Sequence, residues 1–378
     1  MHKRIRLGMV GGGQGALIGP VHRIAARLDD RFTLVAGALS STPQKARASG
    51  AALGLDPARS YDTWEQMVAG EVARRDGIQV VAIVTPNHMH AAPAMAFLAE
   101  GIHVICDKPL TATLAEAQAL AIAVQHSEAL FFLTHNYTAY PMVRQARAMV
   151  AAGEIGALRI VQVEYAQDWL TDSPESEGNT QAEWRTDPAR AGAGGALGDI
   201  GTHAHNLACF VTGQTVTHLA ADLHSFGPGR TLDDNAHVML RLTDGAKGML
   251  WCSQVAPGHE NGLKLRVYGE KGGLEWQQEH PNQLWHSPLG APKRLLTRGG
   301  VGSDPAATRI PAGHPEGYLE GFATLYSDIS DTIRVHQTGA PPPPIAAFLP
   351  GIKAGIDGMA FINGCVDSSR NNSAWIEI

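Results

Sequence analysis

The residues best able to do chemistry stand at the ends of short β-rich runs. The run Ile5 to Val10 leads into Gly11, Gly12, Gly13, Gln14, Gly15, Ala16, Leu17, Ile18 and Gly19, and a helical pattern follows through Val21 to Leu28. Strand, glycine turn and helix in that order let a backbone turn sharply and approach a pyrophosphate, which the helix N–H groups and dipole favour. The chemistry implied is dinucleotide binding. Gly11 and Gly13 fit the first two positions of G-x-G-x-x-G, but Ala16 takes the third and Gly19 arrives three residues later, which predicts a lengthened turn. Lys108 follows another such run, His103 to Cys106, where an open parallel sheet binds its ligands. An ammonium there hydrogen-bonds a substrate hydroxyl and stabilises the negative charge that develops as the proton leaves.

Other candidates line the same crevice. The run Phe32 to Ala38 ends in Leu39, Ser40 and Ser41, with no acidic residue for a ribose. Neutral Ser40 and Ser41 leave room for a 2′-phosphate that Lys45 or Arg47 would meet, so NAD and NADP both stay open. Thr85, Pro86, Asn87 and His90 follow Ile78 to Val84 and are expected at the cofactor, although Thr85 and Pro86 also suit a helix N-cap. Asp107, Lys108 and Asn136 join that set. His135, Asn136 and Tyr137 end the last run of this half and are expected to face a cleft between domains, with Tyr137 toward substrate.

These positions require a particular scaffold. From Ile5 to about Phe132, β-rich runs (Ile5 to Val10, Phe32 to Ala38, Ile78 to Thr85, His103 to Cys106, Leu130 to Leu133) alternate with alanine-rich helical stretches, the order of a parallel sheet covered on both faces. Thr113 and Glu116 have capping-box spacing, and Asp62 with Glu65 marks a second helix start. After Pro141 one helix, Met142 to Ala152, precedes long alternating runs: Leu158 to Tyr165, Ala236 to Leu242, Lys247 to Val255 and Leu263 to Tyr268. Such alternation predicts a large, mostly antiparallel sheet with one buried face, and Gly269 to Gly273 reads as a hairpin turn into Leu274 to Trp276. At about 100 to 200 residues per domain, the expectation is an α/β protein of two domains, 1–140 for the dinucleotide and 141–378 for substrate and oligomerisation.

Composition excludes several functions. The chain of 378 residues is 44% hydrophobic and 17% charged, ordinary for a globular protein. Thirty basic against 36 acidic residues give a net charge of −6, so no broad basic face exists for nucleic acid. The apolar runs Val80 to Val84 and Ala91 to Leu98 fall short of the roughly 20 residues a bilayer crossing needs, and the first segment is too short for a signal peptide. Cys106, Cys209, Cys252 and Cys365 make no C-x-x-C pair, which argues against a disulfide framework and a zinc site and suits the cytoplasm. No metal ligand set is expected.

Taken together, the glycine turn with His22, Thr85-Pro86-Asn87-His88-Met89-His90, Asp107-Lys108-Pro109 and the run Gly194 to His203 resemble the Gfo/Idh/MocA oxidoreductases over most of the chain. The resemblance implies a Rossmann domain joined to an α/β domain whose open sheet commonly mediates homo-oligomers, here a dimer or tetramer. It implies hydride transfer with NAD or NADP, and sugars, inositols or related polyols as substrates. The family's D-x-x-x-H motif maps onto Asp199 and His203, which share one face if the segment is helical. On this mapping His203 takes the hydroxyl proton, Lys108 polarises the oxygen and Asp199 orients substrate and tunes the histidine. The family's Glu-Lys-Pro is altered, since Asp107 replaces the glutamate.

Asp168, Trp169, Trp184 and Arg185 are candidate polyol contacts, because carboxylate and guanidinium groups hold hydroxyls and indole faces pack on ring C–H groups. Interface packing of the tryptophans and an Asp168–Arg185 salt bridge are the alternatives, and His205 is a weaker candidate. The expected activity is oxidation of a secondary hydroxyl on a cyclic polyol or sugar, with scyllo-inositol favoured. Its rivals are a sugar dehydrogenase or ketoreductase acting on an aldose or glycoside, and an NAD-dependent glycosidase. A non-catalytic nucleotide sensor would need neither Lys108 nor the Asp199/His203 pair.

Overall fold

The computed structural model describes residues 3–301 and 307–378; Met1 and His2, and 302–306, lie outside the described residues. Two compact units are found, Met1–Asn136 with Tyr318–Ile356, and Tyr137–Gly317 with Asp357–Ile378.

The first unit alternates strictly. Strand β1 (Ile5–Gly11) is followed by α1 (Ile18–Leu28), β2 (Phe32–Ala38), α2 (Pro43–Ala52), α3 (Trp64–Val72), β3 (Val80–Val84), α4 (Ala91–Ala99), β4 (His103–Cys106), α5 (Leu114–Gln125) and β5 (Phe131–Leu133). The strands form one parallel sheet in the order β2-β1-β3-β4-β5. Every residue of β3 is buried, as helices on both faces of a parallel sheet demand. Strand β1 pairs with β2 on one side and β3 on the other, so a ligand crevice opens at their carboxyl ends. Gly11 pairs with Val84, and the glycine turn and Thr85 therefore leave the sheet side by side.

Helix α5 carries the expected capping box between Thr113 and Glu116. Helix α3 starts one residue later than expected: Thr63 is its cap, accepting the Gln66 N–H, because its hydroxyl reaches the third helical N–H while Asp62 pairs with Arg47. The helix Tyr318–His336 belongs to this unit. Its Phe322 and Tyr326 are fully buried, with ring centroids 4.8 and 5.8 Å from His22 of α1.

The second unit contains α6 (Pro141–Ala151), β6 (Leu158–Ala166), α7 (Thr180–Arg185), α8 (Pro188–Ala191) and α9 (Thr202–Thr212). Strands β7 (Val216–His224), β8 (Asn235–Leu242), β9 (Lys247–Ser253), β10 (Gly262–Gly269), β11 (Gly272–Gln277), β12 (Gln283–Pro288), β13 (Arg294–Thr297) and β14 (Ile376–Glu377) follow. They make a nine-stranded sheet ordered β13-β12-β11-β10-β6-β9-β8-β7-β14, antiparallel except between β6 and β9. Alternation decides its faces: Leu263, Leu265 and Val267 are buried, as are Val161, Val163 and Leu250, while Ile160, Met239, Met249 and Tyr268 are exposed on the other side.

A 3-10 turn, Pro344–Phe348, and the α-helix Ile352–Arg370 together make a stretch long and apolar enough by composition to cross a membrane, longer than the apolar runs of the sequence suggest. Lys353, Asp357, Asn363 and Asp367 interrupt it. Phe361 and Cys365 are fully buried, and Ser368 Oγ accepts the Ala221 N–H of β7 at 2.8 Å. These contacts make it a core helix of the second unit from Asp357 onward.

Candidate active site

The glycine turn is built for close approach. Gly11, Gly12 and Gly15 have φ of +80°, +71° and +78°, the left-handed region that glycine occupies at little cost. Gly13 N–H donates to Leu39 O at 3.0 Å, and a Cβ on Gly13 would lie 2.5 Å from that oxygen. Gln14 N–H donates to Ser49 Oγ at 3.0 Å. The lengthened turn has a clear consequence: α1 already begins at Ile18, and a Cβ on Gly19 would stand 2.4 Å from Gly12 Cα. Gly19 thus supplies the tight helix–strand packing that the third glycine of the fingerprint provides. This bare backbone cradle at a helix N-terminus fits a dinucleotide pyrophosphate.

Around it, Ser40 Oγ accepts the Thr42 N–H at 3.2 Å, and Ser41 and Lys45 are exposed or nearly so. Lys45 Nζ lies 3.8 Å from where a Cβ on Gly15 would stand, beside the turn. Arg47 is committed to Asp62 at 2.8 and 2.9 Å, so of the two basic candidates Lys45 is the one at the turn. Thr85 Oγ1 donates to Met89 O at 3.2 Å, and Asn87 and Asn136 are buried. His90 serves as a strut. Its Nδ1 faces Pro109 O and its Nε2 faces Thr85 O, both at 2.9 Å, so that the one N–H of the neutral ring donates to one of these carbonyls. Burial holds His90 below the ordinary histidine range, against the opposing pull of Asp107 and those carbonyls.

Lys108 is half-buried just beyond β4. The residue before it is held hard: Asp107 Oδ1 accepts Thr134 Oγ1–H at 2.5 Å and lies 3.1 Å from His22 Nε2, while His22 Nδ1 meets the Tyr326 hydroxyl at 2.7 Å. Burial pushes the Asp107 carboxyl upward, but His22 and Thr134 outweigh it and leave the pKa below the usual carboxylate value. The shorter side chain therefore still reaches two partners.

In the second unit Asp199 lies in a single π-turn, Leu197–Gly201, that runs directly into α9, where His203 sits. The pair is thus on one continuous helical segment. His203 is 8% exposed, and its ring meets Tyr137 edge-on at 4.9 Å. Asp199 Oδ2 accepts from Arg185 Nε at 3.1 Å and from Gln254 Nε2 at 2.8 Å. The Arg185 guanidinium also lies 4.1 Å from the Trp184 ring and 5.9 Å from Trp169. Asp168 is engaged elsewhere, its carboxylate taking the Gly258 N–H at 3.1 Å, so the Arg185 salt bridge goes to Asp199. His205 stacks on Phe361 at 4.4 Å.

Three amides link these groups, and none stood out in the sequence. Gln254 Nε2 lies 3.4 Å from Gln167 Oε1, which also accepts Trp169 Nε1–H at 3.1 Å. Gln167 Nε2 donates to Asn261 Oδ1 at 2.9 Å, as does the Tyr165 hydroxyl at 2.7 Å, and Tyr165 meets Tyr137 OH at 2.7 Å. Burial raises the Tyr137 pKa, so its phenol stays protonated. Gln167 follows β6, Gln254 follows β9 and Asn261 precedes β10. Because β6 runs parallel to β9 and antiparallel to β10, these positions converge at one end of the sheet. The signal existed as three amides bordering strands, but it needs the strand order to be read.

Comparisons with known proteins agree with this architecture. Residues 5–135 match the model of the oxidoreductase family with an NAD-binding Rossmann fold, and residues 143–275 match the GFO/IDH/MocA C-terminal domain. The uncharacterized oxidoreductase YfiI of Bacillus subtilis is 34% identical, covering 99% of this chain and 97% of its own. The levoglucosan dehydrogenase of Pseudarthrobacter phenanthrenivorans is 28% identical over 75% of this chain and 76% of its own. Among solved structures, an oxidoreductase from Sinorhizobium meliloti is 58% identical with a TM-score of 0.89, over 99% of this chain and 100% of that one. An inositol dehydrogenase homologue from Azotobacter vinelandii, complexed with NADH and myo-inositol, is 36% identical with a TM-score of 0.91, over 100% and 98%. With its glycine cradle and two-unit architecture, this chain belongs to the GFO/IDH/MocA family and is an NAD-dependent oxidoreductase.

Proposed function

We propose that the enzyme oxidises a secondary hydroxyl of a cyclic polyol or sugar, with an inositol as substrate and scyllo-inositol the first to test. The observation that carries this reading is the polar wall of Asp199, Arg185, Gln254, Gln167 and Asn261, flanked by Trp169 and Trp184. Fixed donors and acceptors bind hydroxyls, and indole faces suit the C–H surface of a ring. The homologue solved with myo-inositol supports the same class. The levoglucosan dehydrogenase relative, together with the two tryptophans, makes an anhydrosugar the second candidate.

NAD, when bound, supplies the hydride acceptor. Lys108 hydrogen-bonds the reacting oxygen and stabilises its growing negative charge. His203 accepts the hydroxyl proton as general base, and Asp199, anchored by Arg185 and Gln254, orients the substrate ring. Thr85, Asn87 and Asn136 join the glycine turn in holding the cofactor. We also propose a cytoplasmic location and a homo-oligomer, the latter supported by the exposed Ile160, Met239, Met249 and Tyr268 on one face of the large sheet.

The test is a panel of inositols, levoglucosan and aldoses, including L-sugars, assayed for reduced cofactor with NAD and NADP in parallel. Turnover of an inositol or levoglucosan is expected, and inactivity across the panel would refute the substrate class. Lys108→Ala and His203→Asn should each lower kcat by about 100-fold or more, and the double variant should lose much less than their product if both act on one oxygen. Phenol released from an aryl glycoside without added cofactor would favour glycosidase chemistry instead.

A further inference from the structure

We propose that Asp233 is a positioning residue that seats the turn carrying Asp199 and His203. The inference rests on the roles proposed above for those two residues. Asp233 Oδ1 accepts the Gly195 N–H and Oδ2 the Leu197 N–H, both at 2.7 Å. Its backbone oxygen accepts the Ala196 N–H at 2.8 Å. Three consecutive donors at the head of a helical segment, which have no partner within the helix, are thus satisfied by one residue more than thirty positions away. Asp199 N–H then donates to Gly195 O at 2.9 Å, so the clamped stretch is bonded directly to the functional carboxylate's own backbone. The fit is close, since a Cβ on Gly195 would lie 2.1 Å from Asp233 O.

The neighbouring residue fixes the other half of the contact. Asp234 O accepts the Gln254 N–H at 2.8 Å, and Gln254 Nε2 donates to Asp199. The Asp233–Asp234 dipeptide therefore holds both the turn bearing Asp199 and the amide that grips its carboxylate. Asp234 is itself anchored by the N–H groups of Phe226 and Gly227 and by Arg230, which also binds Glu175.

A clamp of this kind needs its charge, because a protonated carboxyl turns a hydroxyl toward one of the two N–H donors. Burial pushes the Asp233 pKa up to about 6, against the Leu197 and Gly195 N–H bonds, with a smaller upward contribution from Asp234. The other titratable groups interacting with it are the thiols of Cys252 and Cys365, both pushed upward by burial and hence neutral. Arg230 is occupied by Asp234 and Glu175.

The experiment follows amide hydrogen exchange of Gly195–Leu197 in the full chain with NAD, comparing wild type with Asp233→Asn, alongside kcat for myo-inositol. In the variant those amides should lose about 10-fold or more in protection, β1–β5 should be unchanged, and kcat should fall by about 10- to 100-fold with KM for NAD preserved. A second variant, Gly195→Ala, sets a Cβ 2.1 Å from Asp233 O while leaving the carboxylate in place; it should lose the same protection and keeps the test decisive if Asp233→Asn does not fold. Unchanged protection in both variants, or lost protection with wild-type kcat, would overturn the proposal. Wild-type turnover by His203→Asn would overturn the base assignment instead, leaving the exchange result to stand on its own.

Discussion

Asp107→Asn removes one charge from the bed of Lys108 and little else. In the wild type a single oxygen accepts from Thr134 at 2.5 Å and lies 3.1 Å from His22 Nε2. Bonds to an ionised acceptor are worth about 1.5 to 3 kcal/mol and neutral ones about 0.5 to 1.5, so two weakened bonds amount to a loss of about 2 to 3 kcal/mol. Asp107→Ala should cost more, about 3 to 5 kcal/mol, because the Nε2 of buried His22 would lose its charged partner. Urea titrations at pH 7 measure both losses.

The pH dependence fixes the cause. Asp107 titrates below its ordinary value, so its charge stabilises the fold above the unfolded pKa of about 3.9, and that contribution disappears as pH falls through the lower native value. The wild-type advantage over Asp107→Asn should therefore be full at neutral pH and shrink below about pH 4. An Asp107→Asn midpoint equal to wild type at pH 7, or a gap that does not change on acidification, would refute an ionised Asp107 as the anchor. Loss of kcat with NAD binding retained would further connect the anchor to Lys108.

Other perturbations probe separate parts of the molecule. Gly19→Ala would drive a methyl to within 2.4 Å of Gly12 and should cost about 1 to 3 kcal/mol as well as weaken NAD binding, read by calorimetry. Ser40→Asp places an acidic group at the end of β2 and should cut the use of NADP at least about tenfold while sparing NAD, measured as kcat/KM for each cofactor. Gln254→Leu removes a donor from Asp199 at 2.8 Å; a bond to a charged group is worth about 1.5 to 3 kcal/mol, so kcat/KM for the polyol should fall about 10- to 100-fold.

Local physics made much of the first unit legible. Apolar strands covered on both faces, a glycine turn before the first helix and a capping box at Thr113 are each dictated by neighbours in sequence, and β1, β2, β4 and α5 lie where those signals put them. The shift of the α3 cap from Asp62 to Thr63 is local as well, since both residue types cap helices well and only the hydroxyl geometry separates them. What could not be read is the company of Tyr318–His336. Its Tyr326 meets His22 across 304 positions, and a helix's own periodicity states that a face is buried but not what buries it.

The same limit explains the second unit's site. Residue type singled out Asp199, His203, Trp169, Trp184 and Arg185, but the salt bridge it suggested for Arg185 was with Asp168, whereas the guanidinium holds Asp199. The strand order decides the environment: with β6 between β10 and β9, Gln167, Gln254 and Asn261 come to one end of the sheet, and Gln254 reaches the Asp199 oxygen that Arg185 also holds. Amides are neutral, so a net-charge or metal-ligand search passes over them, although they join Asp199 to Tyr165 through hydrogen bonds. Charge chemistry at this site is legible from motifs, whereas the neutral scaffold that fixes its geometry is encoded in strand pairing. Substrate preference within such a site should accordingly respond to Gln167, Gln254 and Asn261 as strongly as to the charged residues they hold.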